Sequence, residues 1–312
     1  MKWRKKGIIF DPRNRNEWMN AYAQIPYPLE LDDRIRIFFA TREAYKNDLC
    51  RSFGAYIDVD KNDFSNILSV SDTPAISPGG IGEFDEFGTM PASVVEMGDE
   101  FYMYYCGWTR MVGVPHKEEI GIAFSTDGKN FKKRWKGPVL GDDLFEPFTQ
   151  SYPIVVKFDN KLHMFYHSGQ RWIDDGIRKE EQYVIRHAES KDGIYWKRDY
   201  KDLIEPKLEF ESQTSPSVFY KDGEYHMFFC YRNSTDFRDN KERSYNIGYA
   251  VSNDLHTWER KDEECGIATS DKGWDSEMIC YPSVKMLNGK YYMFYCGNHF
   301  GRDGFGYAVL EG

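Results

Sequence analysis

The sequence predicts an all-β fold built from repeated units, and three observations lead to this prediction. A proline, a short apolar run, a tight turn and an aromatic run recur in five copies, the first of them weaker. The copies begin at nearly regular intervals, as repeat architectures require, at Pro26, Pro91, Pro153, Pro216 and Pro282. The chain also begins with a segment resembling a strand that the last repeat lacks. Together these features predict a five-bladed β-propeller with four-stranded antiparallel blades.

Each copy predicts a β-hairpin. In the fifth copy the apolar run after Pro282 leads to Asn288-Gly289, and an aromatic run follows. An Asx-Gly pair favours a tight turn because both residues tolerate positive φ. The second strand, for example 225–229 (YHMFF), is apolar at consecutive positions, which predicts that neighbouring sheets cover both of its faces.

A second pair of strands follows each hairpin. The third strand ends at a serine, an Asp-Gly-like turn follows, and an aromatic residue opens a fourth strand, predicted over 131–140, 196–204 and 258–267. The fifth repeat stops after its third strand, at Leu310. Residues 1–10 resemble the fourth strands, so we expect them to complete the fifth blade and close the ring. The alternative is a frayed basic N-terminus.

We predict one domain over residues 1–312, because repeats cover the chain and no linker interrupts them. The aromatic content of 17% suits strands. The net charge of -9 argues against general nucleic-acid binding. No apolar run has membrane length, and the charged N-terminus is not a secretory signal. The blades are expected over about 20–70, 84–140, 145–205, 210–268 and 274–310.

The six cysteines form neither a disulfide framework nor a CxxC metal site. Cys106, Cys230 and Cys296 end related second strands, which indicates repeat packing in a reduced, cytoplasmic protein. The seven histidines show no metal spacing, and His163 and His226 occupy equivalent strand positions. We therefore predict no metal and no cofactor, and the oligomeric state stays open.

Two sets of side chains recur at one end of the predicted propeller. The first is a carboxylate in the connector before each inner strand: Asp85, Glu146, Glu211, Asp275 and the nearby Glu277. The second is an arginine just after each second strand: Arg42, Arg110, Arg171, Arg232 and Arg302. Both sets are expected around one mouth of an axial funnel. The alternative is that they form salt bridges between blades.

Further candidates for binding a substrate lie in the inserts and at the strand ends. Long polar inserts between second and third strands are predicted over 108–119, 169–182 and 232–245, and loops on rigid scaffolds often carry binding residues. The remaining predicted substrate-binding residues are Gln24, Trp108, Gln150, Trp172, Tyr281 and Asn298.

Three segments carry a resemblance to a known superfamily: 84–95 (FDEFGTMPASVV), 120–128 (IGIAFSTDG) and 274–284 (WDSEMICYPSV). The whole chain resembles the five-bladed propeller glycosidases of the β-fructosidase, arabinanase and β-mannoside phosphorylase kind. It is most similar to short, uncharacterised glycosidase-like proteins that accompany bacterial surface-polysaccharide genes. The superfamily places catalytic carboxylates beside the inner-strand prolines, but Ile25, Tyr152 and Ser215 precede these prolines here. No catalytic residue therefore carries over by motif.

We predict a carbohydrate-active enzyme that cleaves or transfers a glycosyl group. Such chemistry needs one protonated and one ionised carboxyl group, for which Asp85 and Glu277 are favoured. Trp108 and Trp172 would stack on sugar faces, and the arginines predict a ligand with a negative group. The alternatives are a non-catalytic sugar-binding propeller and a pure interaction scaffold.

Overall fold

The computed structural model describes residues 1–45 and 50–311, and its regular structure is almost entirely β. Three short 3-10 helices interrupt the strands, at Lys241–Arg243, Asp262–Glu264 and Asn298–Gly301. The strands are β1 (Trp3–Phe10), β2 (Ala21–Glu30), β3 (Arg34–Arg42), β4 (Ser52–Asp60), β5 (Ile67–Val70), β6 (Gly88–Met97), β7 (Glu100–Arg110), β8 (His116–Ser125), β9 (Gln150–Phe158), β10 (Lys161–Asp174), β11 (Lys179–Ser190), β12 (Lys197–Arg198), β13 (Glu211–Lys221), β14 (Glu224–Asn233), β15 (Asn246–Ser252), β16 (Glu259–Arg260), β17 (Cys280–Leu287), β18 (Lys290–Cys296) and β19 (Phe305–Leu310).

The strands form antiparallel units that follow the sequence repeats. Strands β9–β12 and β13–β16 make two four-stranded sheets, and β17–β19 form a third with β1. Strands β2–β8 form one larger sheet, in which a single parallel pair, Ser52 with Gly88, links β4 to β6. We therefore name β2–β5 the first unit, β6–β8 the second, and the three four-stranded sheets the third, fourth and fifth units.

The N-terminal strand lies at the outer edge of the fifth unit. Strand β1 pairs antiparallel with β19 from Trp3 opposite Leu310 to Phe10 opposite Phe305, as the sequence predicts. The backbone N–H of Trp3 also donates to the carbonyl of Gly266 in the fourth unit. The first segment of the chain is therefore held on two sides rather than frayed.

The first strands of the units contact one another in succession. Strand β2 contacts β6, β6 contacts β9, β9 contacts β13, β13 contacts β17, and β17 in turn contacts β2. Each of these strands has an irregular register near its proline. The residue before the proline has positive φ in four of them: Ile25, Tyr152, Ser215 and Tyr281. This bulge re-aims the side chain of that residue, as β-bulges commonly do.

The repeated cysteines lie beside these bulges. The backbone N–H of Tyr152 donates to Cys106 Sγ at 3.1 Å, and that of Tyr281 donates to Cys230 Sγ at 2.8 Å. Burial raises the pKa of the Cys106 thiol to about 12, so it stays protonated at neutral pH. All six cysteines are described, and none forms a disulfide. Cys106 and Cys230 thus join the second strands β7 and β14 to the next unit by a hydrogen bond.

The predicted hairpin turns are confirmed, whereas the fourth strands are shorter than predicted. Asn288 and Gly289 both have positive φ, as a tight Asx-Gly turn requires. Strands β12 and β16 have only two residues each, and the described part of the second unit has two isolated bridges at this place. Turns and ion-pairing side chains, rather than backbone pairing, occupy much of this outer edge.

The inserts also differ from the prediction. Strand β7 extends to Arg110 and β10 extends to Asp174, so much of the first two predicted loops is paired strand. In the β10–β11 ribbon, polar residues continue the pairing to Asp174 opposite Lys179. The polar composition of these inserts suggested loops, but backbone hydrogen bonds between the strands determine their structure. No helix among the described residues is long and apolar enough to cross a bilayer.

Candidate functional site

A polar pocket of about 200 Å³ opens where the units converge. Bulged first strands contribute Gln24, Tyr152 and Tyr281 to its wall, and the extended inserts contribute most of the charged groups. An adjoining cleft of about 350 Å³ shares Arg42 and Glu118 with the pocket. We call this combined space the central pocket.

Two glutamates enter the central pocket from the third strands of the second and third units. Glu118 lies near the start of β8 opposite Trp108, and Glu181 lies near the start of β11 opposite Trp172. Extension of the hairpins past the sheet edge therefore carries both carboxylates to the pocket wall. Glu180, the neighbour of Glu181, also lines the pocket.

Glu181 is buried, with 4% of its surface exposed. Thr149 donates its hydroxyl to Glu181 Oε2 at 2.8 Å. Gly169 is required nearby, because a Cβ at this position would lie 2.1 Å from Glu181 Oε1. Burial raises the pKa of the Glu181 carboxyl to about 8, and the Glu118 charge acts in the same direction. At neutral pH this carboxyl group is therefore mostly protonated.

Glu118 has a more polar environment than Glu181. Its carboxylate oxygens lie 3.7 Å from His116 Nε2 and 3.9 Å from His167 Nε2. Burial lowers the pKa of His167 to about 3, so this imidazole is neutral, and its Nδ1 lies 2.9 Å from Thr214 Oγ1. The pocket thus holds a buried carboxyl group and a more accessible one within range of each other's charge.

Arg232 is the most enclosed cation of the central pocket. It is 4% exposed, and its guanidinium carbon lies 3.4 Å from the ring centre of Phe237. Its Nη2 donates to the Tyr183 hydroxyl at 2.9 Å, while Nε is buried without a hydrogen-bond partner. Within 1–45 and 50–311 no carboxylate forms an ion pair with it. By contrast, Arg238 makes a two-pronged ion pair with Glu180 at 2.7 and 3.1 Å.

Aromatic rings form much of the remaining wall. Tyr152 and Tyr281 stack at a ring-centre distance of 5.5 Å. Phe300, held at positive φ in the last 3-10 helix, packs edge-on against Tyr245 and Phe237. Flat apolar faces beside hydrogen-bonding groups are suited to sugar rings.

The predicted connector carboxylates lie outside the central pocket. Four of them are at most 2% exposed: Asp85, Glu146, Glu211 and Asp275. Their basic partners come from outer segments or third strands rather than from the predicted set of arginines: Lys133 for Asp85, Arg186 and Arg198 for Glu146, Arg260 for Glu211, and Lys5 for Asp275. Tyrosines of the second strands donate to three of them, at Asp85, Glu146 and Asp275. The connector carboxylates are thus paired with cations of their own units rather than with the predicted arginines, and the catalytic role stays a prediction.

Glu277, Asn298 and Gln150 are likewise not on the pocket wall. Glu277 is exposed, and its backbone N–H donates to Asn298 Oδ1 at 2.8 Å. The Gln150 amide donates to the carbonyl of Glu146 at 3.0 Å. These hydrogen bonds fix the connectors, and the pairing of Asp85 with Glu277 as acid and base stays a prediction.

The predicted binding residues divide between the pocket and its surroundings. Those on the wall of the central pocket are Gln24, Arg42, Trp108, Arg110, Arg232 and Tyr281. Trp172 lies behind this wall, with its ring edge-on to His116 at 5.3 Å. Arg171 bonds to Gln182 at the exposed end of the ribbon. Arg302 is exposed and caps the last 3-10 helix.

Sequence reasoning missed the three glutamates of the pocket. Glu118 and Glu181 lie in a repeated Lys-Glu-Glu motif, at 117–119 and 179–181, in the first residues of the third strands, as its second and its third residue respectively. Aligning the inserts of the second and third repeats would have revealed this motif. It also missed His116, His167 and Arg238, which no repeated pattern marks.

The fold is similar to that of solved structures described as glycoside hydrolases. A solved structure described as a glycoside hydrolase matches 99% of this chain and 92% of its own length, with a TM-score of 0.78 and 16% identity. A curated relative, the 1,2-beta-oligomannan phosphorylase of Thermoanaerobacter sp. (strain X514), is 32% identical over 144 residues, or 44% of this chain and 43% of that protein. No protein-family model matches the sequence.

The similarity extends over the full length in two uncharacterized proteins of Mycobacterium tuberculosis. Each is 36% identical over 313 residues, covering 100% of this chain and 100% of its own length. The chain belongs to the same family as these two proteins.

Proposed function

We propose that this protein is a carbohydrate-active enzyme that cleaves or transfers a glycosyl group in the central pocket. The observation that carries the proposal is the pair formed by Glu181 and Glu118. Glycosyl chemistry needs a protonated acid for the leaving oxygen and a second carboxylate opposite it. Burial raises the pKa of the Glu181 carboxyl group, as an acid catalyst requires, and the less buried Glu118 lies within range of its charge.

In this proposal Glu181 is the general acid, since burial holds its pKa at about 8. Glu118 is the carboxylate that activates or replaces the incoming nucleophile. The stacked Tyr152 and Tyr281 bind a sugar face, and Gln24 bonds to sugar hydroxyls. The proposed roles replace those predicted for Asp85 and Glu277, whose side chains do not reach the pocket wall.

The proposal includes the architecture of a single five-bladed β-propeller, closed by β1 in the fifth unit. The succession of contacts from β2 through β6, β9, β13 and β17 back to β2 supports it. Deleting residues 1–10 exposes the edge of β19 and should abolish cooperative thermal unfolding. A truncated chain that melts like the full chain would contradict the closure.

We further propose that the ligand carries a negative group. Four arginines line the central pocket: Arg42, Arg110, Arg232 and Arg238. Three glutamates line the same pocket. Arg238 neutralises Glu180, Glu181 is mostly protonated at neutral pH, and Glu118 is the third. A carboxylate or phosphate is the matching partner for the buried Arg232 guanidinium. An acidic sugar, a sugar phosphate or inorganic phosphate as a glycosyl acceptor satisfies this requirement.

The first experiment is a screen of turnover on β-1,2-linked mannosides, chosen because of the oligomannan phosphorylase relative, and on acidic and phosphorylated sugars. Each substrate is tested with and without inorganic phosphate, which separates phosphorolysis from hydrolysis. We expect turnover by the wild-type protein and ligand binding without turnover by Glu181→Gln. Wild-type turnover in both Glu181→Gln and Glu118→Gln would remove both residues from the mechanism.

A non-catalytic sugar-binding protein is the second candidate. The residues before the inner-strand prolines favour it, since Ile25, Tyr152, Ser215 and Tyr281 lack the carboxylates of the glycosidases that the chain resembles. Calorimetric binding of a sugar that neither water nor phosphate cleaves would support this candidate. Failure of every sugar to bind would favour the interaction scaffold instead.

The anionic group has its own test. Arg232→Lys keeps the charge but loses the planar fork, so we expect weaker binding of acidic or phosphorylated sugars and little change for neutral ones. Arg171→Lys is the control, because Arg171 lies at the exposed end of the β10–β11 ribbon. Equal affinity of neutral and anionic sugars at low and physiological salt would show that the pocket serves neutral glycans.

A further inference from the structure

A cluster of three histidines and two carboxylates lies away from the central pocket, between the third and fourth units. His163 is on β10, and His187 and Glu189 are on β11. Asp199 follows β12, and His256 lies in the turn before β16 of the fourth unit. The chain positions of these residues show no metal-binding motif, so only the folded structure brings them together.

The potential ligand atoms of the cluster lie close together. His163 Nδ1 lies 3.0 Å from His187 Nε2 and 4.0 Å from Glu189 Oε1. The potential ligand atoms of these three residues all lie within 4.8 Å of one another. A tetrahedral ion about 2.1 Å from each ligand would separate the ligand atoms by about 3.4 Å. The observed separations bracket this value, so small side-chain movements would complete the coordination.

The surroundings of the three residues match those of a metal centre. His163 and His187 are 4% and 1% exposed, so their rings are held in place. The other nitrogen of His187, Nδ1, lies 3.1 Å from Asp199 Oδ2. A carboxylate that accepts the second N–H of a ligating histidine is the usual arrangement around bound zinc. Lys161 bonds to Glu189 Oε2 at 2.8 Å and leaves Oε1 facing the histidines.

We propose that His163, His187 and Glu189 bind a divalent transition-metal ion of the zinc type, with Asp199 orienting His187. Two imidazoles and one carboxylate favour such an ion over magnesium or calcium, which prefer oxygen ligands. His256 of the fourth unit, whose Nε2 lies 3.6 Å from Glu189 Oε1, or a water molecule takes the fourth position. The ion then joins the third and fourth units at their outer edge.

The test uses the full chain without a histidine tag. Purified protein is stripped with EDTA, titrated with Zn²⁺ by calorimetry, and titrated separately with Co²⁺, whose visible absorption reports four-coordinate geometry. We expect one ion per chain and a higher melting temperature with Zn²⁺, because a ligand that binds the folded state stabilises it. Asp199→Asn should weaken Zn²⁺ binding about 10- to 100-fold, and Glu189→Gln should weaken it at least as much.

The control is His299→Gln, because His299 is exposed and bonds only to Asp303 among the described contacts of its ring. This variant should bind Zn²⁺ like the wild-type protein. Thermal melts in EDTA check that every variant is folded, and Glu189→Gln replaces a part-exposed carboxylate by an amide of the same shape, so it leaves the buried histidines in place. Absence of a four-coordinate Co²⁺ spectrum, or equal Zn²⁺ affinity of Glu189→Gln and His299→Gln, would overturn the proposal.

Discussion

The connector carboxylates and the pocket carboxylates are both largely removed from water, yet their surroundings differ in kind. Glu146 is fully buried and accepts hydrogen bonds from Arg186, Arg198 and Tyr166. Glu181 is nearly as buried, but the side chain that donates to it is the neutral Thr149. Glu146 is thus tied to two cations of its own unit, whereas Glu181 has a neutral partner and burial raises its pKa to about 8. Burial alone therefore does not identify a candidate catalytic acid. The charge of the groups that surround the carboxyl group must be considered as well.

The sharpest test of this contrast is turnover, once a substrate is known. Glu181→Gln and Glu118→Gln should each lower kcat by about 10²–10⁴-fold, the usual contribution of acid–base catalysis. Asp85→Asn should change kcat far less, because Asp85 bonds to Tyr105 and Lys133 away from the pocket. A loss of turnover in Asp85→Asn as large as in Glu181→Gln, with an unchanged melting temperature, would restore the connector residue to the mechanism.

For stability we expect the larger effect from a connector carboxylate and the smaller one from a pocket carboxylate. Glu146→Gln leaves Arg186 and Arg198 without their buried carboxylate, and breaking such a pair costs about 3–5 kcal/mol. Glu181→Gln should cost little at neutral pH, because the native carboxyl group is already mostly protonated. Urea denaturation of both variants measures the difference. A smaller loss in Glu146→Gln than in Glu181→Gln would contradict the structural role of the connector.

The pH dependence of stability tests the raised pKa of Glu181 directly. The pKa of Glu181 rises from 4.5 to about 8 on folding, so its protonated form stabilises the native state below pH 4.5 and this contribution is lost as pH rises through 8. The free energy of unfolding of the wild-type protein should therefore fall relative to that of Glu181→Gln between pH 5 and 8. If Glu181 is the general acid, as proposed, the kcat/KM of the wild-type protein should decline above pH 8 as its carboxyl group ionises. A constant stability difference across this range would mean that Glu181 is ionised in the folded protein.

The smallest expected effect concerns the connector of the fifth unit. Lys5 of β1 bonds to the buried Asp275 at 2.6 Å. Lys5→Met should destabilise the protein by about 1–3 kcal/mol, the cost of leaving a buried polar group underpaired. Lys2→Met is the control, because Lys2 is 81% exposed and its pair with Glu311 should contribute at most about 1 kcal/mol. Chemical denaturation that gives equal values for both variants would argue against β1 as part of the fifth unit.

Much of the fold could be read from the sequence because its signals are local and repeated. The Asn288-Gly289 turn and the aromatic strand after it depend on residues that are adjacent in sequence. The same pattern of residue types recurs in the other repeats. The pairing of β1 with β19 was also predictable, since the ends of the chain complement each other. The lengths of the fourth strands and of the β10–β11 ribbon were not predictable, because backbone pairing there tolerates polar residues.

The sequence by itself thus determined the repeat, the hairpins and the carboxylates and arginines available for chemistry. Only the tertiary structure decided which of these groups meet. The sequence does not distinguish the surroundings of Asp85 from those of Glu181. In the folded protein Lys133 forms an ion pair with Asp85, whereas Glu181 lies beside Thr149 and within range of the Glu118 charge. The physical reason is that a carboxyl group's protonation depends on charges and solvent within a few ångströms, and residues distant in sequence provide both.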